Sequence, residues 1–270
     1  MNPRSPFRSL SSMSGAYAAK TRPSWKSCTL LAGIVPGFFQ VEMKKFFSLQ
    51  LEEEKRRLWQ TPDNQEGLGQ LFVVSDEQKL DWSDLFYKKM PPKLSFREKM
   101  ELYCHEMKVL AMLILGSLAR ALKVDAVMMW EMFEDGVQSI RMNYYLPCPE
   151  PSKAIGFSPH SDADALTILY QFNYTDGLQI RKDGIWMPIR SIPNALIVNK
   201  GDIMEIFSNG IYRNIEHRAT VNSTKERLSV ATFYSCRLDT DLGPAPNLVG
   251  LPFFRLFQSS STSRTSTLRG

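Results

Sequence analysis

After Gly136 the chain breaks into short runs rich in β-branched and aromatic residues, a pattern that a helix-dominated fold cannot accommodate. The runs are VQSIRMNYY (137–145), ALTILYQF (165–172), GLQIRK (177–182), IWMPIR (185–190), ALIVN (195–199), IMEIF (203–207), HRATVN (217–222) and LSVATFY (228–234). Turn formers separate them, among them Asp183-Gly184, Lys200-Gly201-Asp202 and Ser208-Asn209-Gly210. Many short strands at this spacing predict an antiparallel sandwich or barrel with a two-sheet core.

The residues before Gly136 are patterned differently. Phe38, Phe39, Met43, Phe46, Phe47, Leu49, Leu51 and Leu58 recur at helical spacing, and LEEEKRR supplies a charged face, so 36–60 is expected to be an amphipathic helix. The segment 62–70 reads as a loop. A long helix is predicted from Ser95 to Lys123, with Ser95 and Glu98 as a capping box, and a shorter one over 126–135.

Composition excludes several functions. Of 33 basic residues, Arg4, Arg8, Lys20, Arg22 and Lys26 precede Glu42, the first acid, so the rest balance the 28 acids. A basic leader on a neutral body argues against nucleic-acid binding, which needs a basic folded face. Four scattered cysteines without a CxxC pair argue against a cysteine-built zinc site and fit a reducing compartment. The apolar runs 28–39 and 109–122 are too short to span a bilayer. The leader imitates a transit peptide in composition, but the expectation is a cytoplasmic, monomeric protein without membrane or nucleic-acid partners.

Three histidines occur, and two fall in a suggestive setting. SPHSDADALTIL (158–169) places His160 and Asp162 two residues apart at the mouth of a strand, where both can project to one face. His217 follows in IEHRATV at the start of a later strand. Two histidines and one carboxylate leave three metal positions open, the facial triad of non-haem Fe(II) oxygenases. Their ligand atoms are expected within about 3–4 Å of one another, given bonds of roughly 2 Å. An HxD alone is weak, since such a pair often closes a sheet edge. ERLSV (226–230) strengthens it: Arg227 and Ser229, also two apart, form a receptor for the far carboxylate of a dicarboxylate chelated to the metal. His105, within the long helix, reads as a packing or surface residue.

The order of these features resembles the plant 2-oxoglutarate/Fe(II)-dependent dioxygenases, in the S-norcoclaurine synthase-like and codeine O-demethylase-like branch. The matching text includes RMNYYLPCPEP (141–151), SPHSDADALTIL, GLQIRKDGIWMPI (177–189) and SNGIYRNIEHRATVNSTKERLSVATFYS (208–235). The resemblance implies a mainly β fold with flanking helices (α+β): a double-stranded β-helix, a jelly-roll or cupin-like barrel, with N-terminal helices packed outside. It implies His160, Asp162 and His217 as iron ligands. Arg227 and Ser229, with Tyr145 and Asn143 of the NxY element, would hold 2-oxoglutarate, and Phe233 and Arg141 would face a small-molecule substrate. The implied chemistry consumes 2-oxoglutarate and O2, with ascorbate as reductant, and hydroxylates, desaturates or demethylates a specialised metabolite.

The text also departs from the family. GFFQ (37–40) runs straight into VEMKKFF, a passage is missing between DLFY (84–87) and KKMPPKLSFRE (88–98), and Leu146 replaces a proline. The expected organisation is a disordered leader (1–35), a remnant of the helical region (36–135), the dioxygenase domain (136–237) and a C-terminal tail (238–270). A truncated member of this kind is either an active enzyme or a catalytically silent isoform that retains metal and co-substrate binding.

Overall fold

A computed structural model describes residues 67–68, 81–88, 97–192 and 194–249, with 67–68, 84–88 and 97–99 as backbone alone. The expectations for 1–35, 36–60, Ser95 and 258–270 lie outside the described residues. The elements are β1 (Gly67–Leu68), β2 (Asp84–Lys88), α1 (Arg97–Ala121), α2 (Ala126–Phe133), β3 (Val137–Tyr145), β4 (Phe157–His160) and β5 (Leu166–Gln171). They continue with β6 (Leu178–Lys182), β7 (Ile185–Pro188), β8 (Leu196–Lys200), α3 (Asp202–Phe207), β9 (His217–Ala219) and β10 (Arg227–Ser235).

The strands form two antiparallel sheets, ordered β1-β2-β3-β10-β5-β8 and β4-β9-β6-β7. From β3 onward the chain passes back and forth between them, which makes the double-stranded β-helix that the sequence predicts. Strand alternation divides the residues of the larger sheet between two faces. Ile140, Met142, Leu166, Ile168, Leu228, Val230 and Tyr234 pack with Met100, Tyr103, Cys104, Met107 and Ala111 of α1 in one buried cluster. The alternate residues Arg141, Asn143, Tyr145, Arg227, Ser229, Ala231 and Phe233 line a cavity on the other side. Ser229 pairs across to Asn143 and Gln171, and Arg227 to Tyr145, so the register seats the polar residues together.

α1 follows the prediction, and its Met100–Ala121 stretch is long and apolar enough to cross a membrane by length and composition. The run counted from the sequence, 109–122, understated it. One face of the helix is buried on the sheet and, through Leu115 and Ala119, against α2 and α3 residues such as Met129, Met204 and Phe207. This is the arrangement of a helix packed on a sheet by one face. α2 begins at the cap supplied by Asp125, whose Oδ1 accepts from Val127 N at 2.9 Å. His105 is exposed.

Two expectations change. Gly67–Leu68, read as loop, pairs with Phe86 and Tyr87 of β2. IMEIF, read as a strand, is helix α3, in which Ile203, Met204 and Phe207 are buried. A run this short carries no decisive period, and the chain has to turn at Gly201, where Met204 and Glu205 N–H groups donate back to its carbonyl at 3.1 and 3.2 Å. A Cβ on Gly201 would lie 2.1 Å from Asp164 O and 2.5 Å from Asp162 O. Gly201→Ala is therefore expected to push the 162–164 backbone aside and cost about 1–3 kcal/mol of stability, the range for overpacking. Urea denaturation checks this; an unchanged midpoint contradicts it.

Candidate active site

His160 is the last residue of β4 and His217 the first of β9, and the two are directly paired across the strands. Asp162 is not on that strand, as the HxD spacing suggested. It lies in the loop after β4, so its approach to the histidines comes from the turn and not from strand alternation. The result is still convergence. His160 Nε2 stands 3.8 Å and His217 Nε2 3.6 Å from Asp162 Oδ1. The three ligand atoms lie within 4.8 Å of one another, somewhat wider than expected, and the cluster is the one potential metal-ligating group among the described residues. Bonds of about 2 Å would require them to draw in by under ~1 Å.

Hydrogen bonds aim each ligand atom inward. His160 Nδ1 lies 2.7 Å from Ser158 O and His217 Nδ1 3.1 Å from Ile215 O. A carbonyl only accepts, so each Nδ1 carries the proton and each Nε2 presents its lone pair to the cavity. Burial, then the neighbouring His217, lowers the His160 pKa to about 4, so this imidazole is neutral at physiological pH, as a ligand must be. Asp162 is buried, and its Oδ2 accepts from Thr167 Oγ1 at 2.7 Å and Asn199 Nδ2 at 2.8 Å. That leaves Oδ1 facing both imidazoles.

Sequence reading missed Thr167 and Asn199. Thr167 is legible only as a polar residue in an apolar strand, and Asn199, 37 residues from Asp162, has no local signal. Asn199→Ala is expected to weaken divalent-metal affinity about tenfold, the lower end for a residue orienting a ligand. A metal titration equal to wild type would assign Asn199 to packing alone.

Arg227 is 3 % exposed. Its Nε donates to Gln171 Oε1 at 3.1 Å, a NH1 group donates to Ser229 Oγ at 3.3 Å, and its Cζ lies 5.1 Å from the Tyr145 ring centroid. No carboxylate pairs with Arg227 among the described residues. Burial lowers its pKa and the adjacent Tyr145 opposes that shift; guanidinium remains charged regardless. Gly177 makes room for it: a Cβ there would lie 2.8 Å from Arg227 Cδ. Gln171 is a further residue that sequence reading missed, since it is recognisable only once β5 is placed beside β10.

All nine residues named from the sequence line one cavity of about 290 Å³. Arg141 stacks 3.7 Å over the Phe157 ring, which meets the His160 ring edge-on at 4.1 Å. Phe233 faces the cavity, not the α1 cluster. Much of the remaining wall is aliphatic, with Leu169, Leu178, Ile180, Ile189 and Ile197, and Arg218 also lines it.

A double-stranded β-helix holding an inward His-Asp-His cluster and a buried arginine in one cavity defines the oxygenase class that uses a metal and a dicarboxylate. Comparison with known proteins agrees. Residues 136–235 match the family model of the 2OG-Fe(II) oxygenase superfamily. The chain is 50% identical over 222 residues to oxoglutarate-dependent flavonoid 7-O-demethylase 1 of Ocimum basilicum, covering 78% of this chain and 59% of that protein. It is 43% identical over 258 residues to thebaine 6-O-demethylase of Papaver somniferum, covering 84% of this chain and 70% of the relative. The crystal structure of JOX2 in complex with 2OG, Fe and JA superposes with a TM-score of 0.73 at 35% identity, over 78% of this chain and 66% of that one. The chain belongs to the 2OG-Fe(II) oxygenase superfamily. It spans about six-tenths of the length of the basil protein it matches.

Proposed function

We propose that this chain is an Fe(II)- and 2-oxoglutarate-dependent oxygenase that hydroxylates, desaturates or demethylates a small specialised metabolite. The observation that carries it is the sharing of one cavity by a His-Asp-His cluster and a buried arginine that has no carboxylate partner among the described residues. The donor set fits ferrous iron: two imidazole nitrogens and one carboxylate oxygen, each oriented by its own hydrogen bonds. His160, Asp162 and His217 would hold the metal. Arg227 and Ser229, assisted by Tyr145 and Asn143, would hold the distal carboxylate of 2-oxoglutarate. Bound iron supplies O2 activation coupled to oxidative decarboxylation of 2-oxoglutarate, with ascorbate keeping it ferrous.

The rest of the work falls to the protein. Arg227 presents a rigid fork of N–H donors in a buried setting, where charge-assisted hydrogen bonds are strongest. The aliphatic part of the wall would limit water at the reacting centre. Phe233 and Arg141 line the same cavity and would face the substrate. The demethylase names of the two relatives support a methyl ether on a ring as the first substrate class to test. The same reading takes the protein as a cytoplasmic monomer acting without nucleic acid or membrane, supported by the charge-balanced body and by the packing of α1 on the sheet.

The test incubates purified protein with Fe(II), ascorbate, 2-oxoglutarate and a panel of methoxylated phenolics. Succinate formed in step with oxidised product supports the proposal. Metal and 2-oxoglutarate binding without succinate favours the silent isoform, and absence of metal binding overturns both.

A further inference from the structure

Helix α3 stands between the two chain segments that bring the cluster together. At its start, Asp202 N–H donates to Asp162 O at 2.8 Å and Gly201 N–H to Ala165 O at 3.1 Å, which fixes the loop carrying the carboxylate. Its side chains reach the other segment. Asp202 Oδ1 accepts from Asn214 Nδ2, and Glu205 Oε2 accepts from Asn214 N–H at 2.9 Å. Asn214 directly precedes Ile215, whose carbonyl receives the His217 Nδ1 proton. Asp202 thus touches the Asp162 loop through its backbone and the His217 approach through its side chain. Neither Asp202 nor Asn214 lines the cavity.

We propose that Asp202 and Asn214 form a strut that sets the spacing between His217 and Asp162, resting on the metal-binding reading above. They are positioning residues. The ring of His217 is oriented by the Ile215 carbonyl, and the plane of that peptide follows from where Asn214 is held. The bulkier part of the 208–216 turn is anchored separately, by Gly210 N–H on Glu205 O at 2.8 Å and Tyr212 N–H on Ser208 Oγ at 2.8 Å. Loss of the Asn214 side chain therefore leaves the turn in place, with Asn214 N–H still on Glu205, and removes only the direct tie from Asp202 to the residues nearest the histidine.

The experiment titrates metal-free protein with Co(II), read by its visible absorption, beside a thermal melt. Asn214→Ala is expected to lower Co(II) affinity about tenfold, as for other residues that orient ligands, and to alter the visible spectrum. The KM for 2-oxoglutarate at saturating metal should stay within about twofold. The double variant Asp202→Asn with Asn214→Asp exchanges donor and acceptor, and should bring the affinity back to within about threefold of wild type. Should Asn214→Ala not fold, Asn214→Ser makes the same comparison. Wild-type Co(II) affinity and spectrum in the folded variant, with only a lower melting temperature, would overturn the strut. A wild-type protein that binds no Co(II), or a His217→Ala protein that binds it equally well, would instead overturn the metal-binding reading.

Discussion

Asp162→Asn is expected to lower Fe(II) or Mn(II) affinity by a hundredfold or more while the protein stays folded. Thr167 and Asn199 both donate to Oδ2. An asparagine in this space keeps its carbonyl oxygen toward those donors, because the opposite flip would set its NH2 against the Asn199 NH2. The amide nitrogen then occupies the Oδ1 position, 3.8 and 3.6 Å from the two imidazole Nε2 atoms. A metal would meet N–H hydrogens in place of a lone pair, and the site would lose its one negative charge. Loss of a residue that merely orients a ligand costs about 10–100-fold, so loss of the ligand itself should reach or exceed the top of that range. Stability should change little, since the Thr167 and Asn199 hydrogen bonds are kept in uncharged form and a buried charge is removed. Metal titration with a parallel urea melt reads both quantities; retained affinity would mean that Asp162 is a structural acid.

Arg227→Ala should separate the two halves of the site. Burial at 3 % exposure makes an unpaired guanidinium costly, and its two observed partners, Gln171 and Ser229, are neutral. A carboxylate delivered by 2-oxoglutarate completes the set with charge-assisted hydrogen bonds worth about 1.5–3 kcal/mol each. At about 1.4 kcal/mol per factor of ten, the KM for 2-oxoglutarate should rise roughly a hundredfold. Metal affinity should stay within about threefold, because Arg227 makes no hydrogen bond to the cluster. Arg227→Lys keeps the charge but loses the fork, and should fall between the two. Equal losses of metal and 2-oxoglutarate binding would show that Arg227 holds up the barrel.

Much of the fold and of the site is legible in the residues alone, for identifiable physical reasons. β3, β5 and β10 are long, β-branched and bounded by turn residues, so period and punctuation agree. Arg227 and Ser229 do share a strand face, and their two-residue spacing carries the inference correctly. The same argument reaches the right outcome for His160 and Asp162 by the wrong route, since Asp162 lies past the end of β4. IMEIF misleads because four apolar residues in five fit a buried strand and a buried helical turn alike, and the backbone contacts of Gly201 decide it. Thr167, Asn199 and Gln171 are illegible for another reason. Each acts through a contact made by strand pairing or loop closure, and no local pattern encodes such a partner.

The central claim is that metal and 2-oxoglutarate occupy one cooperative site, the ion held by His160, Asp162 and His217 and the distal carboxylate by Arg227 and Ser229. The most direct measurement is calorimetric titration of 2-oxoglutarate into the protein with and without Mn(II), which binds without redox turnover. The account predicts one 2-oxoglutarate per chain, binding at least tenfold more tightly with Mn(II) than without it. His217→Ala should lose the metal effect, and Arg227→Ala should weaken binding in both conditions. Binding that ignores Mn(II), or that survives both substitutions unchanged, would contradict the account.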